Sequence, residues 1–247
     1  MDVGNSRIAM GCVIDERASS VRRMSEAGPD ALGDALANIW REMDSPKAVV
    51  ASSVNPAVLQ VVTAAAGERL HQNVLVVGSD LPLPIETLLP EPERIGTDRL
   101  CSAAMAYHRL QSACVVADFG TAITIDCVSD DGVFLGGAIL PGLAIGAEGL
   151  ARHTAYLPRV ALERPDWVFG TDTRRAIIGG LVYGARGALR ELTEAYATEL
   201  GRWPPLILTG GDAELVGGGY DIVHAIVPEL CLMGIALAYH QCRSVEP

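Results

Sequence analysis

Two short segments of the chain place an acidic residue, a glycine and a hydroxyl in the same order. The first is Asp2-Val3-Gly4-Asn5-Ser6 and the second is Asp118-Phe119-Gly120-Thr121-Ala122. Glycine lets a backbone approach a phosphate closely, so that successive N–H groups point at its oxygens, and a neighbouring acid can hold a metal ion or a metal-bound water. Either motif alone fits an ordinary turn between strands. The pair favours nucleotide binding.

A third segment, Gly96-Thr97-Asp98-Arg99, precedes a helical pattern. A carboxylate at the N-terminus of a helix is kept ionised by the helix dipole and can accept a proton, and a neighbouring guanidinium can bind a carboxylate or phosphate. The alternative is that Thr97 or Asp98 only caps the helix. On this segment alone, the helix cap is the favoured interpretation.

The nucleotide-binding motifs of two common classes are absent from the sequence. There is no GxxxxGK[ST] segment and no GxGxxG segment that opens a helix. Paired acid-glycine-hydroxyl hairpins facing each other across a cleft are used by actin-like ATPases and sugar kinases, which this chain resembles. Thr209-Gly210-Gly211-Asp212-Ala213 follows a late strand and is similar to the adenosine-side motif of that superfamily.

Composition and charge narrow the class of protein. Lys and Arg total 19 against 30 Asp and Glu, and the net charge of -11 argues against nucleic acid or an anionic membrane as a partner. The six cysteines show no metal-ligand spacing, which predicts reduced thiols. No apolar stretch is long enough to span a bilayer, and the N-terminus lacks signal-peptide order. We expect a cytoplasmic location.

Short β-branched runs alternate with longer helical patterns, which predicts an α/β fold. The predicted strands cover residues 8–13, 48–54, 74–78, 113–118, 122–128, 134–140, 206–209 and 221–226, and the predicted helices cover 30–43, 56–70, 98–110, 143–152, 173–200 and 228–243. The two acid-glycine motifs begin 116 positions apart (118 minus 2), so two similar halves are expected. Only Met1 precedes Asp2, and the first strand is therefore expected to be missing or truncated.

The motifs together resemble those of type III pantothenate kinases in order and spacing, nearly from end to end. Three of the seven matching segments are Asp2 to Ser6, Gly96 to Arg99, and Asp118 to Ala122 continuing to Thr124 and Asp126. The other four are Ser53-Val54 with Pro56, Gly136-Gly137 leading to Pro141-Gly142, Thr154-Ala155-Tyr156-Leu157-Pro158, and Gly170-Thr171-Asp172-Thr173 with Ile177 and Gly180. No single segment decides the family, but seven segments in register do.

The resemblance implies an architecture and an activity. The expected fold is two ribonuclease-H-like (actin-like ATPase) domains, residues 1–110 and 111–247, with a nucleotide cleft between them. The expected reaction is the ATP-dependent phosphorylation of the primary hydroxyl of pantothenate to 4′-phosphopantothenate, the first step of coenzyme A biosynthesis. The expected assembly is a homodimer whose sites are completed across the interface.

The resemblance also implies residue roles. Asp98 would be the proton acceptor, and Asp118 would bind a monovalent cation, K⁺ or NH₄⁺. Asp2 would hold Mg²⁺ through water. The residues implied in ATP binding are Asp2, Val3, Gly4, Asn5, Ser6, Arg7 and Thr121, and those implied in pantothenate binding are Gly96, Thr97, Asp98, Arg99 and, from the other subunit, Thr173.

One position departs from the family pattern, and two other functions stay open. Leu89 stands where the family commonly has a tyrosine, so a phenol contact to the substrate would be absent. The first alternative function is another small-molecule kinase of the same superfamily. The second is a non-catalytic regulatory protein, against which the presence of Asp98, Asp118 and Thr121 argues.

Overall fold

The computed structural model describes residues 1–25, 28–45 and 47–245. In chain order its elements are β1 (Asp2–Val3), β2 (Ile8–Ile14), β3 (Arg17–Met24), α1 (Pro29–Arg41), β4 (Val49–Ser53), α2 (Pro56–Leu70), β5 (Val74–Val76), β6 (Glu86–Thr87), a 3-10 helix (Pro92–Arg94), α3 (Thr97–Leu110), β7 (Cys114–Phe119), β8 (Ala122–Val128), β9 (Val133–Pro141), α4 (Leu143–His153), α5 (Thr173–Leu200), β10 (Leu206–Thr209), α6 (Ala213–Gly217), β11 (Ala225–Ile226) and α7 (Leu230–Val245).

The chain divides into two compact units. Unit 1 comprises Met1–Arg109 and the chain from Glu229 onward, and unit 2 comprises Leu110–Pro228. The chain first passes from unit 1 to unit 2 between Arg109 and Leu110, within one residue of the predicted boundary between 110 and 111. The predicted second domain, 111–247, is corrected at its end, because the last helix α7 packs against β2 and β4 of unit 1. Helix periodicity shows that α7 has a buried face but not which sheet covers it.

The sheet of unit 1 has the strand order β3-β2-β1-β4-β5. Its first strand is short, as expected, yet it is the central strand. Asp2 is opposite Ala9 in the antiparallel pair with β2 and opposite Ser52 in the parallel pair with β4. The last residues of β1 and β4 therefore lie side by side, where the two parallel strands end.

Helices cover both faces of this sheet. One face packs against α1 and α2, around a core that includes Val3, Met10 and Leu36. The other face packs against α7, whose Leu232 and Ile235 share a cluster with residues of β2 and β4. Helix α7 also approaches α3 closely, because a Cβ on Gly234 would lie 1.9 Å from the carbonyl oxygen of Cys101.

The sheet of unit 2 repeats this arrangement. Its strands β9, β8, β7, β10 and β11 are neighbours in that order, so the first strand of the unit is again central, with an antiparallel hairpin on one side and parallel strands on the other. Asp118 is opposite Thr124 of β8 and Thr209 of β10. The predicted internal repeat is thus present in the topology. Helices α4 to α6 pack against unit 2's own core, which includes Phe119 and Leu189.

Two further expectations concern membranes and cysteines. Among the described residues, no helix combines the length and apolarity needed to cross a membrane. All six cysteines are free thiols, and five of them are buried. This arrangement agrees with the prediction of reduced thiols.

Candidate active site

The first acid-glycine motif forms the turn between β1 and β2. The backbone N–H of Gly4 donates to the carbonyl of Arg7 at 3.1 Å, and a Cβ on Gly4 would lie 3.1 Å from the same oxygen. Val3 is fully buried and anchors the turn, while Asn5, Ser6 and Arg7 are exposed. The turn therefore presents an amide, a hydroxyl and a guanidinium beside Asp2.

The Gly96-to-Arg99 segment forms the start of α3. The Asp98 carboxylate curls back over the helix N-terminus, where it accepts a hydrogen bond from the Arg99 N–H at 2.8 Å. A Cβ on Gly96 would lie 2.4 Å from Asp98 Oδ1, so only glycine leaves room for this conformation. The carboxylate is held in one position by backbone contacts.

Thr97 connects the same helix to the sheet. Its hydroxyl lies 2.7 Å from the buried hydroxyl of Ser52 and 3.4 Å from the carbonyl of Ser53. Both partners are at the end of β4. Asp98 bonds the N–H of the next residue and Thr97 bonds the neighbouring strand, so neither side chain bonds the N–H two or three residues further along, as a capping side chain does.

Both acids of this site, Asp2 and Asp98, have raised pKa values. Burial, together with the smaller effect of the nearby Asp98 carboxylate, raises the pKa of Asp2 to about 6. Burial also raises the pKa of Asp98, although the Arg99 N–H and guanidinium oppose the shift. Two half-buried acids with raised pKa values form a site that favours a proton or a cation between or beside them.

Residues that the sequence did not single out complete this site. The Cys231 thiol, from α7, hydrogen-bonds to the Asp2 carboxylate and lowers its pKa. Cys101 lies one turn along α3 from Asp98, and burial raises the pKa of its thiol, with Asp2 and Asp98 adding to the shift. Ser52 supplies the partner of Thr97. No sequence signal linked Cys231 to Asp2, because only the packing of α7 brings them together.

The second acid-glycine motif lies in unit 2, between β7 and β8. Gly120 donates its N–H to the carbonyl of Ala122 at 3.1 Å. Gly210 lies against this turn with a φ of 94°, and a Cβ there would be 2.3 Å from Asp118 Oδ1 and 2.6 Å from the Phe119 nitrogen. The Asp212 N–H donates to the Phe119 carbonyl at 3.0 Å. The predicted adenosine motif therefore packs directly on the second phosphate motif.

Thr121 and Thr173 are both exposed in unit 2. The carbonyl of Thr121 accepts the N–H of Gly142 at 3.1 Å, so the loop after β9 packs on the turn. Thr173 is the first residue of α5, whose N-terminus is capped by Asp172 through a 2.8 Å bond from the Arg175 N–H. It shares a shallow depression with Leu150 and Leu157.

The sequence comparisons decide the family. Residues 1–195 match the family described as type III pantothenate kinase. The chain belongs to the type III pantothenate kinase family. The activity of this family is the phosphorylation of pantothenate in coenzyme A biosynthesis, and the prediction of a kinase is confirmed.

Relatives named type III pantothenate kinase extend over most of the chain. The protein of Dehalococcoides mccartyi is 30% identical over 246 residues, which cover 97% of this chain and 95% of that protein. The protein of Anaeromyxobacter sp. strain Fw109-5 is 37% identical over 196 residues, which cover 79% of this chain and 77% of that protein.

Solved structures confirm the predicted fold class. A conserved protein of Campylobacter jejuni, proposed to be a Baf family transcriptional activator, is 19% identical with a TM-score of 0.63 over 99% of this chain and 98% of its own. The ethanolamine utilization protein EutJ of Carboxydothermus hydrogenoformans is 14% identical with a TM-score of 0.53 over 96% of this chain and 88% of its own. This pantothenate kinase family member therefore has the two-domain fold of actin-like ATPases and sugar kinases.

A kinase of this superfamily uses a divalent metal with its nucleotide. Within the described ranges no three His, Cys, Asp or Glu side chains cluster as a ligand set. Magnesium commonly keeps several waters and binds through one or two carboxylates together with substrate phosphates. A site with Asp2 and Asp98 close together fits that kind of coordination and not an all-protein cage.

Proposed function

We propose that this chain transfers the γ-phosphoryl group of ATP to the primary hydroxyl of pantothenate, with Asp98 as proton acceptor. The observation that carries the assignment of Asp98 is its position in unit 1, at the N-terminus of α3 and close enough to Asp2 to raise the pKa of that residue. The predicted substrate motif and the predicted phosphate motif thus supply neighbouring carboxylates.

Asp98 has the properties that a general base for an alcohol requires. Its carboxylate is fixed by the Arg99 N–H and by the space over Gly96, so little reorganisation precedes proton transfer. Its raised pKa makes it a stronger proton acceptor than an exposed aspartate. Phosphoryl transfer needs mainly positioning and charge neutralisation, so orienting the hydroxyl is a large part of this role.

The turn from Asp2 to Arg7 would bind the phosphates of ATP. Gly4 permits the tight turn, and the exposed side chains of Asn5, Ser6 and Arg7 can each donate a hydrogen bond to a phosphate oxygen. Asp2 would hold Mg²⁺ through a bound water. The ion would supply positive charge that neutralises the phosphates, and it would favour the ionised form of Asp2, which burial and the Asp98 charge now disfavour.

Unit 2 would contribute a monovalent cation site and further nucleotide contacts. The Asp118 carboxylate lies against the backbone at Gly210 and Gly120, and its oxygens would be the ligands of K⁺ or NH₄⁺. The exposed Thr121 hydroxyl would bond to ATP. The contact of Asp212 with Phe119 would keep the adenosine motif against these groups.

Pantothenate would be bound by Gly96, Thr97 and Arg99, with the guanidinium of Arg99 facing the substrate carboxylate. Thr173 would complete the pocket from the second subunit of a homodimer. An exposed stripe of small residues on α5 supports this assembly, because Ala176, Gly180, Gly184 and Gly187 lie on one side of the helix and no other atom would lie within 4 Å of a Cβ on these glycines. Exposed Val168 and Phe169 precede it.

We further propose a cytoplasmic location, with no nucleic acid or membrane partner. The net charge of -11 supports this, since it disfavours contact with nucleic acid and anionic lipid. The free cysteine thiols also support this location, because thiols stay reduced in the cytoplasm.

A product assay tests the function. Purified protein is incubated with MgATP and pantothenate, with and without K⁺ or NH₄⁺, and 4′-phosphopantothenate and ADP are quantified against a panel of sugars and acetate. The proposal expects product from pantothenate only and a strong dependence on the monovalent cation. Phosphorylation of a panel substrate in its place would identify another kinase, and absence of turnover with every acceptor would favour a regulatory protein.

A further inference from the structure

The predicted adenosine motif of unit 2 leads into a very short helix. Helix α6 (Ala213–Gly217) has 5 residues and begins directly after Thr209-Gly210-Gly211-Asp212. Helices of fewer than about 12 residues are marginally stable on their own. The position of α6 therefore depends on the contacts at its two ends.

The N-terminal end of α6 is joined to the second phosphate motif. The Asp212 N–H donates to the Phe119 carbonyl at 3.0 Å, and the Asp212 carbonyl accepts the Val216 N–H at 3.1 Å. Gly210, in the same loop, lies against the Asp118 carboxylate. A displacement of α6 would therefore also displace this loop from the turn that carries Asp118 and Phe119.

The C-terminal end of α6 is held by Arg186, a half-buried residue of α5. Its Nε donates to the Val216 carbonyl at 2.6 Å, and its Nη2 donates to the Gly218 carbonyl at 3.4 Å. Its guanidinium also lies over the Tyr220 ring, 5.1 Å from the ring centroid. A cation at the C-terminus of a helix stabilises the negative end of the helix dipole, and a charged donor makes a stronger hydrogen bond than a neutral one.

The segment Gly217-Gly218-Gly219 packs tightly where α6 ends. A Cβ on Gly217 would lie 2.4 Å from a methyl carbon of Leu208, and a Cβ on Gly218 would lie 2.7 Å from the Glu214 carbonyl oxygen. Larger residues at these two positions would displace the backbone at the end of the helix. The glycines therefore keep two carbonyls within reach of one guanidinium.

We propose that Arg186 is a positioning residue for ATP, because it holds α6 and, through α6, keeps the loop from Gly210 to Asp212 on the turn at Phe119. The proposal rests on the nucleotide site proposed above for unit 2. Arg186 acts through α6 and not on the reacting atoms, so its loss should weaken nucleotide binding and leave the phosphoryl-transfer step unchanged. ATP would then bind only the fraction of molecules in which the loop is in place.

Two replacements of Arg186 and one matched control test this role. Arg186→Met removes the charge and the donors but keeps a long side chain, and Arg186→Lys keeps the charge with a different donor geometry. Arg190→Met changes an exposed arginine one turn further along α5. The measured quantities are hydrogen exchange of the Asp212 amide without nucleotide, the ATP dissociation constant by calorimetry, and kcat with saturating substrates.

Arg186→Met should speed the exchange of the Asp212 amide at least about tenfold. Its dissociation constant for ATP should rise at least about tenfold, the scale of a lost charge-assisted hydrogen bond, whereas kcat at saturation should stay within about twofold. Arg186→Lys should recover part of both losses, and Arg190→Met should match the unmodified protein. If Arg186→Met does not fold, Arg186→Lys must show smaller changes in the same direction.

Unchanged Asp212 exchange, or unchanged ATP affinity, in a folded Arg186→Met protein would overturn the proposal. Equal changes in Arg190→Met would overturn it as well, because the effect would then not come from the contact with α6. Turnover decides the proposed function separately. An unmodified protein that binds ATP but does not phosphorylate pantothenate would refute that function, while faster exchange and weaker ATP binding in Arg186→Met would still support the role of Arg186.

Discussion

The hydroxyl oxygens of Ser52 and Thr97 lie 2.7 Å apart, and this hydrogen bond joins the first residue of α3 to the end of β4. Ser52 is opposite Asp2 in the parallel pairing of β4 with β1. The bond therefore connects the helix that carries Asp98 with the strand that pairs with β1, which carries Asp2. It helps to position the two elements of the candidate active site relative to each other.

Replacing Thr97 by valine tests this connection. Thr97→Val keeps the shape but leaves the buried Ser52 hydroxyl without this partner, at a cost of about 1–3 kcal/mol in the free energy of unfolding. We expect kcat/KM for pantothenate to fall at least about tenfold, as measured by steady-state kinetics. Thr97→Ser retains the hydroxyl and should remain close to the unmodified enzyme. Equal losses in the two variants would show that the methyl group, and not the hydrogen bond, is required.

The pH dependence of stability reports the environment of Asp2. Its pKa is about 6 in the folded protein, against 3.8 for an unperturbed aspartate. Between these pH values the folded state binds more protons than the unfolded state, so the free energy of unfolding falls as pH rises, by up to about 3 kcal/mol. Asp2→Asn should remove this decrease and be more stable than the unmodified protein at pH 8 without nucleotide.

Urea unfolding at pH 4, 5, 6 and 8 checks this prediction. Asp131→Asn, which changes an exposed carboxylate in unit 2, is the matched control and should follow the unmodified protein. A stability difference between Asp2→Asn and the unmodified protein that does not change over this range would show that the Asp2 carboxylate does not titrate with a raised pKa.

Gly210 should be intolerant of substitution. It combines a φ of 94° with a Cβ position 2.3 Å from Asp118 Oδ1, so alanine would strain the backbone and displace the carboxylate. We expect Gly210→Ala to destabilise unit 2 and to weaken ATP binding at least about tenfold, as measured by calorimetry. Gly149→Ala, in a helix with no atom within 4 Å of the new methyl, should leave both quantities nearly unchanged.

The small-residue stripe of α5 provides a test of the proposed dimer. Gly184 is exposed, and no other atom would lie within 4 Å of a Cβ there. Gly184→Lys should therefore leave unfolding unchanged but convert a dimer to a monomer, as determined by light scattering. Gly67→Lys introduces the same charge at an exposed helical glycine of unit 1 and should remain dimeric. A dimer that persists in Gly184→Lys would place the interface elsewhere.

Elements with strong local signals were predictable from the sequence. Helix α2 begins after Asn55, whose side chain accepts the Val58 N–H at 3.2 Å, and Pro56 opens the helix as expected for these residue types. Helix α5 and strands β8 and β10 have the predicted bounds. In these segments capping, hydrophobic period and turn residues all favour the same structure.

Strand β3 was not predicted. It is an exposed edge strand with the sequence RASSVRRM, so it lacks the apolar alternation of a half-buried strand. Its turn is also atypical, because Asp15 and Glu16 have φ values of 46° and 58° in positions that usually hold asparagine or glycine. Pairing with β2, and not local preference, makes this segment a strand.

The candidate site was predictable only in part. Motif spacing singled out Asp2 and Asp98, and the structure brings their carboxylates close together. The contacts that position them were not predictable, because Ser52 and Cys231 look like ordinary buried residues in the sequence. Their roles arise from strand register and from the packing of α7, which link residues far apart in the chain.

The kinetics of Asp98→Asn test the central claim most directly. The amide keeps the size of the side chain but cannot accept the proton of the pantothenate hydroxyl. Turnover with saturating MgATP and pantothenate should fall by roughly 10²- to 10⁴-fold, with nucleotide binding retained. Glu93→Gln, which changes an exposed acid of the preceding 3-10 helix, should be unaffected. Near-normal turnover in a folded Asp98→Asn protein would contradict the account.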